Sequence, residues 1–135
     1  MASWRDIGES NRLAAVKLHA DDRSARPSIT RAYYAVFHEL THQLTAAGFH
    51  DFGKRNGGQR GCPTHATLAK LAKANIDGLS VHNRVELQKA VIRLRGRREA
   101  ADYQPGTTVD KSAAKEAIRD MFYALRILSR AKGGI

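Results

Sequence analysis

The sequence predicts an all-α fold: an up-and-down bundle of about four long helices and one short helix, built by a single domain over residues 1–135. Three observations carry this. Apolar residues recur at helical spacing through several long runs, and no run alternates with the two-residue period of a half-buried strand. Cap-forming Ser, Thr or Asp stands before these runs, with Gly or Pro behind most of them. The link between the first two runs is short, as between antiparallel neighbours.

The first helix is expected from Trp4 to His19. Ser3 is its N-cap and Asp6 occupies the capping-box position, with Trp4, Ile7, Leu13, Val16 and Ala20 as its apolar side. Asp21, Asp22, Arg23 and Ser24 form the turn into the second helix, residues 28–48, for which Pro27 suits the first turn and Gly48 the stop. At about 100° per residue, Ile29, Tyr33, Val36, Phe37, Leu40, Leu44 and Ala47 share one face of that helix. Arg31, Tyr34, His38, His42 and Thr45 share the opposite face. The apolar face is core, and the polar stripe is the candidate for function.

Residues 48–64 break the pattern with a run of glycines and basic residues, a loop of a length that is usually functional or disordered. Gly48 to Lys54 spells G-x-x-x-x-G-K, but a phosphate cradle needs a strand before it, Ser or Thr after it and a helix directly behind. None of these is present. Thr64 is positioned to cap a short helix through Leu68, Leu71 and Ala72 that ends before Asp77-Gly78. Ser80 caps a long helix over residues 81–103, stopped by Gln104-Pro105-Gly106. On it Leu87, Ala90, Leu94 and Ala101 form one apolar strip and Val81, Val85 and Ile92 a second, with Arg84, Arg95, Arg98 and Asp102 between. Charges flanked by two apolar strips point to a groove or an interface. Asp110 caps the last helix, 111–131, which buries Ala114, Ala117, Ile118, Met121, Phe122, Leu125 and Leu128; Gly133-Gly134 begins a frayed tail.

Composition narrows the function classes. A chain of 135 residues builds a core without staples, and the single cysteine, Cys62, excludes an internal disulfide framework and fits a reducing compartment. The first residues contain no apolar h-region and no run reaches membrane-spanning length, so a soluble cytoplasmic protein with no membrane partner is expected. The net charge of +10 is uneven: residues 1–51 carry six basic and six acidic side chains, residues 52–135 seventeen and seven. Such asymmetry points to a polyanion, with nucleic acid ahead of membrane.

Two chemistries compete for the polar stripe. His38-Glu39-Leu40-Thr41-His42 is literally H-E-x-x-H, a zinc-binding pattern when the two His share a helix face. Zincins also need a third ligand and a strand along which substrate lies, and the sequence offers neither, so no metal or other cofactor is expected. Alternatively Arg31 and His38, two turns apart, place a cation and a titratable base on one face for work on a phosphodiester.

Two stretches carry a specific resemblance. Ser28 to His38, S-x-x-R-A-Y-Y-A-x-F-H, and Arg98 to Tyr103, R-x-x-A-D-Y, with Pro-Thr-His at 63–65 between them, resemble the signatures of small prokaryotic HEPN-domain proteins, in order and spacing across most of the chain. The resemblance implies a HEPN-like helical bundle that pairs as a homodimer. It also implies a metal-independent endoribonuclease, often the toxin of a toxin–antitoxin pair with a nucleotidyltransferase-type antitoxin. In such enzymes an Arg and a His separated by four to six residues act together, the Arg on phosphate charge and the His on the attacking 2′-hydroxyl. Of the pairs Arg12/His19, Arg31/His38 and Arg60/His65, only Arg31/His38 lies inside a signature and on one helix face. Ala32 follows Arg31 where the pattern carries a polar residue, which leaves a catalytically inactive dimeric binding module as the alternative.

The expected site therefore has Arg31 and His38 as catalytic residues, with Tyr34, Arg95, Arg98 and Asp102 as RNA-binding or groove-lining residues. Arg31, Tyr34 and His38 are expected to face Arg95, Arg98 and Asp102 across one groove, with Asp102 orienting an arginine. The competing expectation is that Arg31 and Asp102 form an ion pair that fixes packing.

Overall fold

A computed structural model describes residues 3–48, 65, 67–70, 76–103 and 109–131. Among these are four long helices and no strand: α1 (Trp4–Leu18), α2 (Ala25–Ala46), α3 (Val81–Tyr103) and α4 (Lys111–Ser129). A 3₁₀ turn, Asp22–Ser24, joins α1 to α2, and His65 and residues 67–70 are helical. The 49–64 part of the glycine-rich stretch, the Thr64 cap, Leu71 and Ala72, the 104–106 stop and the Gly133-Gly134 tail lie outside the described residues.

The caps form as their residue types dictate. Ser3 Oγ accepts from Asp6 N at 3.1 Å while Asp6 Oδ2 accepts from Ser3 N at 3.0 Å, a reciprocal capping box. Ser80 Oγ accepts from Asn83 N at 3.1 Å, and Asp110 Oδ1 from Ala113 N at 3.0 Å. Asp22 Oδ1 also accepts from Lys111 N at 2.8 Å, so a carboxylate from the first turn sits on the positive N-terminal end of α4. Gly48 closes α2 at φ 103°, a left-handed conformation that favours glycine.

Contacts along the chain fix the topology. Arg5 meets Glu39 and Ala15 meets Ser28, so α1 and α2 are antiparallel. Arg26 meets Ala101 and Tyr34 meets Arg98, and Arg93 meets Asp120 and Arg97 meets Glu116, so α2–α3 and α3–α4 are antiparallel too. Gln43 reaches Leu128, and α2 and α4 run parallel. α2 packs on all three other long helices and is the axis of the bundle.

That position explains where the expected burial pattern holds and where it fails. Ile29, Tyr33, Val36, Phe37, Leu40 and Leu44 are core, but so are Ser28, Glu39, Thr41 and Gln43, because α1 covers the other side of α2; Ala47 is exposed. On α1 the buried line is Gly8, Asn11 and Ala15, not the larger residues: Leu13 and Ala20 are exposed. Small residues let the two backbones close up. A Cβ on Gly8 would lie 3.1 Å from Ala35 O and 3.2 Å from Glu39 N. On α3 the Leu87, Ala90, Leu94 and Ala101 strip is buried, while Val81 and Ile92 of the second strip are exposed. On α4, Ala124 and Ile127 are buried and Phe122 is partly exposed.

Candidate functional site

α2 carries two polar clusters on different sides. The first faces α1. Asn11, only 6 % exposed, stands on the small-residue line of α1, where its amide enters the helix–helix seam. Its Oδ1 accepts from Arg31 Nη1 at 3.1 Å, and its Nδ2 lies 3.2 Å from His38 Nδ1 and donates to Ile7 O at 3.1 Å. Arg31 and His38 thus meet on one side chain. A buried amide left unpaired would cost about 1–3 kcal/mol, so the seam holds this geometry firmly.

Two aromatic rings stack on the His38 ring. Trp4 stacks on it at 5.4 Å with 5° between planes, and Tyr34 at 5.6 Å with 25°. The Phe37 ring meets it edge-on at 5.4 Å. Burial lowers the His38 pKa from its usual 6.5, and a hydrogen bond to the Tyr34 carbonyl partly opposes this. At neutral pH the ring is uncharged. Asn11 Nδ2 lies against Nδ1, and the ring also bonds to the Tyr34 carbonyl. The tautomer selected decides whether Nε2 offers or takes a proton.

The second cluster lies between α2 and α3 and is centred on Arg98, which is 8 % exposed. Its Cζ is 5.7 Å from the Tyr33 ring centre, 5.5 Å from Tyr34 and 5.1 Å from Tyr103. Nε donates to Asp102 Oδ2 at 3.1 Å, Nη2 donates to Tyr103 Oη at 2.8 Å, and Asp102 Oδ1 accepts from the Thr30 hydroxyl. Tyr33 Oη lies 2.7 Å from His65 Nδ1. Burial raises the Tyr33 pKa, so the phenol keeps its proton and donates to an uncharged His65. The His65 pKa is itself lowered, first by burial and then by Arg98 and Arg95, with Glu99 opposing. Arg95 pairs with Glu99 at 3.0 Å and reaches the His65 carbonyl at 3.4 Å.

This arrangement corrects the single-groove expectation. Arg31 and His38 face α1 through Asn11, while Arg95, Arg98 and Asp102 gather on the α3 side; Tyr34 and Phe37 touch both clusters. Asp102 pairs with Arg98 and Thr30, and Arg31 pairs with Asn11, so the expected Arg31–Asp102 ion pair is not formed. The physical reason is the position of α2 at the bundle axis, which splits its polar residues between two seams.

Glu39 answers the zinc alternative. It is 3 % exposed, and its two oxygens accept from Arg5 Nε at 2.8 Å, Arg5 Nη2 at 2.9 Å and Gln43 Nε2 at 2.9 Å. A carboxylate so engaged anchors α1 to α2 and is not available as a general base beside a metal. Among the described residues no group of three or more His, Cys, Asp and Glu stands close enough to hold a metal ion. A groove of about 630 Å³ between α1, α2 and α4, lined by Arg5, Gly8, Glu39, Phe122, Leu125 and Arg126, contains neither Arg31 nor His38.

Sequence reasoning missed Asn11 and Tyr33, and set His65 aside as the partner of Arg60. Asn11 had a signal: it is a polar residue in line with Gly8 and Ala15 at helical spacing. The Tyr33–His65 bond had none beyond the two signatures, since 32 residues separate its ends. No helix among the described residues is long and apolar enough to cross a membrane. No family model, no curated protein and no solved structure matches the chain.

Proposed function

We propose that this chain is an RNA-directed protein of HEPN type and that Arg31 and His38, joined through Asn11, are its metal-independent phosphodiester-cleaving pair. One observation carries the reading: a cation and an uncharged imidazole, seven residues apart on α2, converge on a single buried amide. In the proposed reaction the RNA 2′-oxygen bonds to the adjacent phosphorus as the bond to the 5′-oxygen breaks. The products are a 2′,3′-cyclic phosphate and a 5′-hydroxyl. His38 Nε2 takes the 2′-hydroxyl proton and delivers it to the departing 5′-oxygen, and Arg31 offsets charge on the phosphoryl oxygens. The basic surplus of residues 52–135 supports a polyanionic substrate. A homodimer, a nucleotidyltransferase-type antitoxin, a toxin role and a cytoplasmic setting belong to this reading through the resemblance.

The test is cleavage of structured RNA in EDTA beside His38→Ala and Arg31→Ala variants. Cleavage that survives chelation and drops about 10²- to 10⁴-fold in His38→Ala supports the pair. Cleavage unchanged in both variants, or abolished by chelation, overturns it.

A second reading has its own observation. Trp4 and Tyr34 both stack on the His38 ring, as suits a packing group. In that reading the chain is a catalytically inactive binding module. It would bind RNA with steep salt dependence and leave it intact.

A further inference from the structure

The Arg98 cluster ends at the surface in an unusual way. Tyr103, the last residue of α3, is 65 % exposed, the largest exposure of any described aromatic residue. An exposed tyrosine at a helix end ordinarily samples several rotamers. This one is held: its hydroxyl accepts from Arg98 Nη2 at 2.8 Å, and the guanidinium lies 5.1 Å from its ring centre. Arg98 cannot drift, because it is buried among the Tyr33 and Tyr34 rings and bonded to Asp102, which the Thr30 hydroxyl holds in turn. A relay from α2 through two charged groups therefore fixes an aromatic ring that contributes little to the core. Burial of Arg98 has a desolvation cost, and ordering a ring that stays wet adds little stability in return. The physical use of such an arrangement is pre-organisation: a flat apolar surface that need not be ordered when a ligand arrives.

We propose that Tyr103 is a stacking platform for an unpaired nucleobase. This rests on the reading of the chain as RNA-directed and adds to it the residue that would engage a base. Three features favour a base over other flat ligands. Every base presents a π-face, and stacking on an aromatic side chain needs no base-specific hydrogen bond. The platform lies in the basic half of the chain, where seventeen basic side chains face seven acidic ones, and Arg95 stands one helical turn from Arg98 with 39 % of its side chain exposed. The platform is also joined to the other cluster by side-chain contacts: His38 stacks on Tyr34, Tyr34 packs on Arg98 and Arg98 holds Tyr103.

The experiment measures binding of fluorescein-labelled oligouridine, single-stranded and annealed to oligoadenine, to wild type, Tyr103→Ala and Tyr103→Phe. Thermal melts check the fold, which an exposed side chain leaves intact. The platform predicts that Tyr103→Ala weakens single-strand binding roughly 5- to 100-fold. Tyr103→Phe, which keeps the ring but loses its bond to Arg98, falls between the two, and duplex binding is the same for all three because paired bases hide their faces. Tyr103→Ala binding the single strand as tightly as wild type overturns the platform and leaves the RNA reading standing. An equal loss on duplex and single strand also overturns it, since that would mark a general surface effect. Wild type that binds neither form overturns the RNA reading together with the platform.

Discussion

The Asn11 seam and the Arg98 seam sit on two sides of the same helix and share Tyr34, yet they are built in opposite ways. In the Asn11 seam the buried member is a neutral amide, and the charged residue, Arg31, is at the surface. In the Arg98 seam the buried member is the cation, and its outermost member is a neutral ring, Tyr103. The first design leaves a charge and a titratable imidazole beside solvent, which suits chemistry. The second spends its charge inside the fold, on holding rings in place. An arginine inside the core is therefore the more important group for stability, and an arginine at the surface the more important for reactivity.

The largest effect should come from breaking the Arg98 seam. Arg98→Ala removes a guanidinium from between three rings and leaves Asp102 without its pair; a loss of about 3 kcal/mol in urea unfolding is expected. Asn11→Ala should cost less, about 2 kcal/mol, because one buried amide is lost and its partners can reach water. It should also slow RNA cleavage, and Arg98→Ala should weaken single-strand binding as well, because it frees the Tyr103 ring. Tyr33→Phe deletes one hydrogen bond to His65 and should cost about 1 kcal/mol. Arg31→Ala closes the series: the residue is exposed, but its loss leaves the buried Asn11 Oδ1 without its donor, so a loss of about 1 kcal/mol is expected while cleavage falls steeply.

Acid should strain both seams. The pKa values of His38 and His65 are lowered in the fold from the usual 6.5, so the unfolded chain binds these protons more tightly. Their neutral forms cost the fold nothing above about pH 6.5; as pH falls through that value, proton uptake favours unfolding until the folded-state pKa values are passed. Melting temperature should drop between pH 7.5 and 5.5. The drop should be shallower in His65→Gln, where neither burial of an imidazolium nor its repulsion by Arg98 and Arg95 arises. An equally steep drop in that variant would move the titration elsewhere.

Much of the fold was legible because local rules act over a few residues. Ser3, Ser80 and Asp110 cap as their side chains require, and the α2 stripe from Ile29 to Leu44 packs as its spacing requires. Leu13 and Phe122 misled, since hydrophobicity ranks them above Gly8 and Ala124, while close helix packing selects small residues. The site was legible in its members but not in its grouping. Periodicity puts Arg31, Tyr34 and His38 on one face of α2, yet cannot tell which neighbour covers that face. Asn11, from a helix without a recognisable motif, decides the pairing.

The most direct test compares the two histidines. His38→Gln and His65→Gln should be assayed together for RNA cleavage in EDTA and for thermal melting. The account predicts that His38→Gln loses cleavage while remaining folded, and that His65→Gln cleaves RNA at close to the wild-type rate despite a lower melting temperature. Cleavage lost in His65→Gln and kept in His38→Gln would contradict it and move the chemistry to the Arg98 seam.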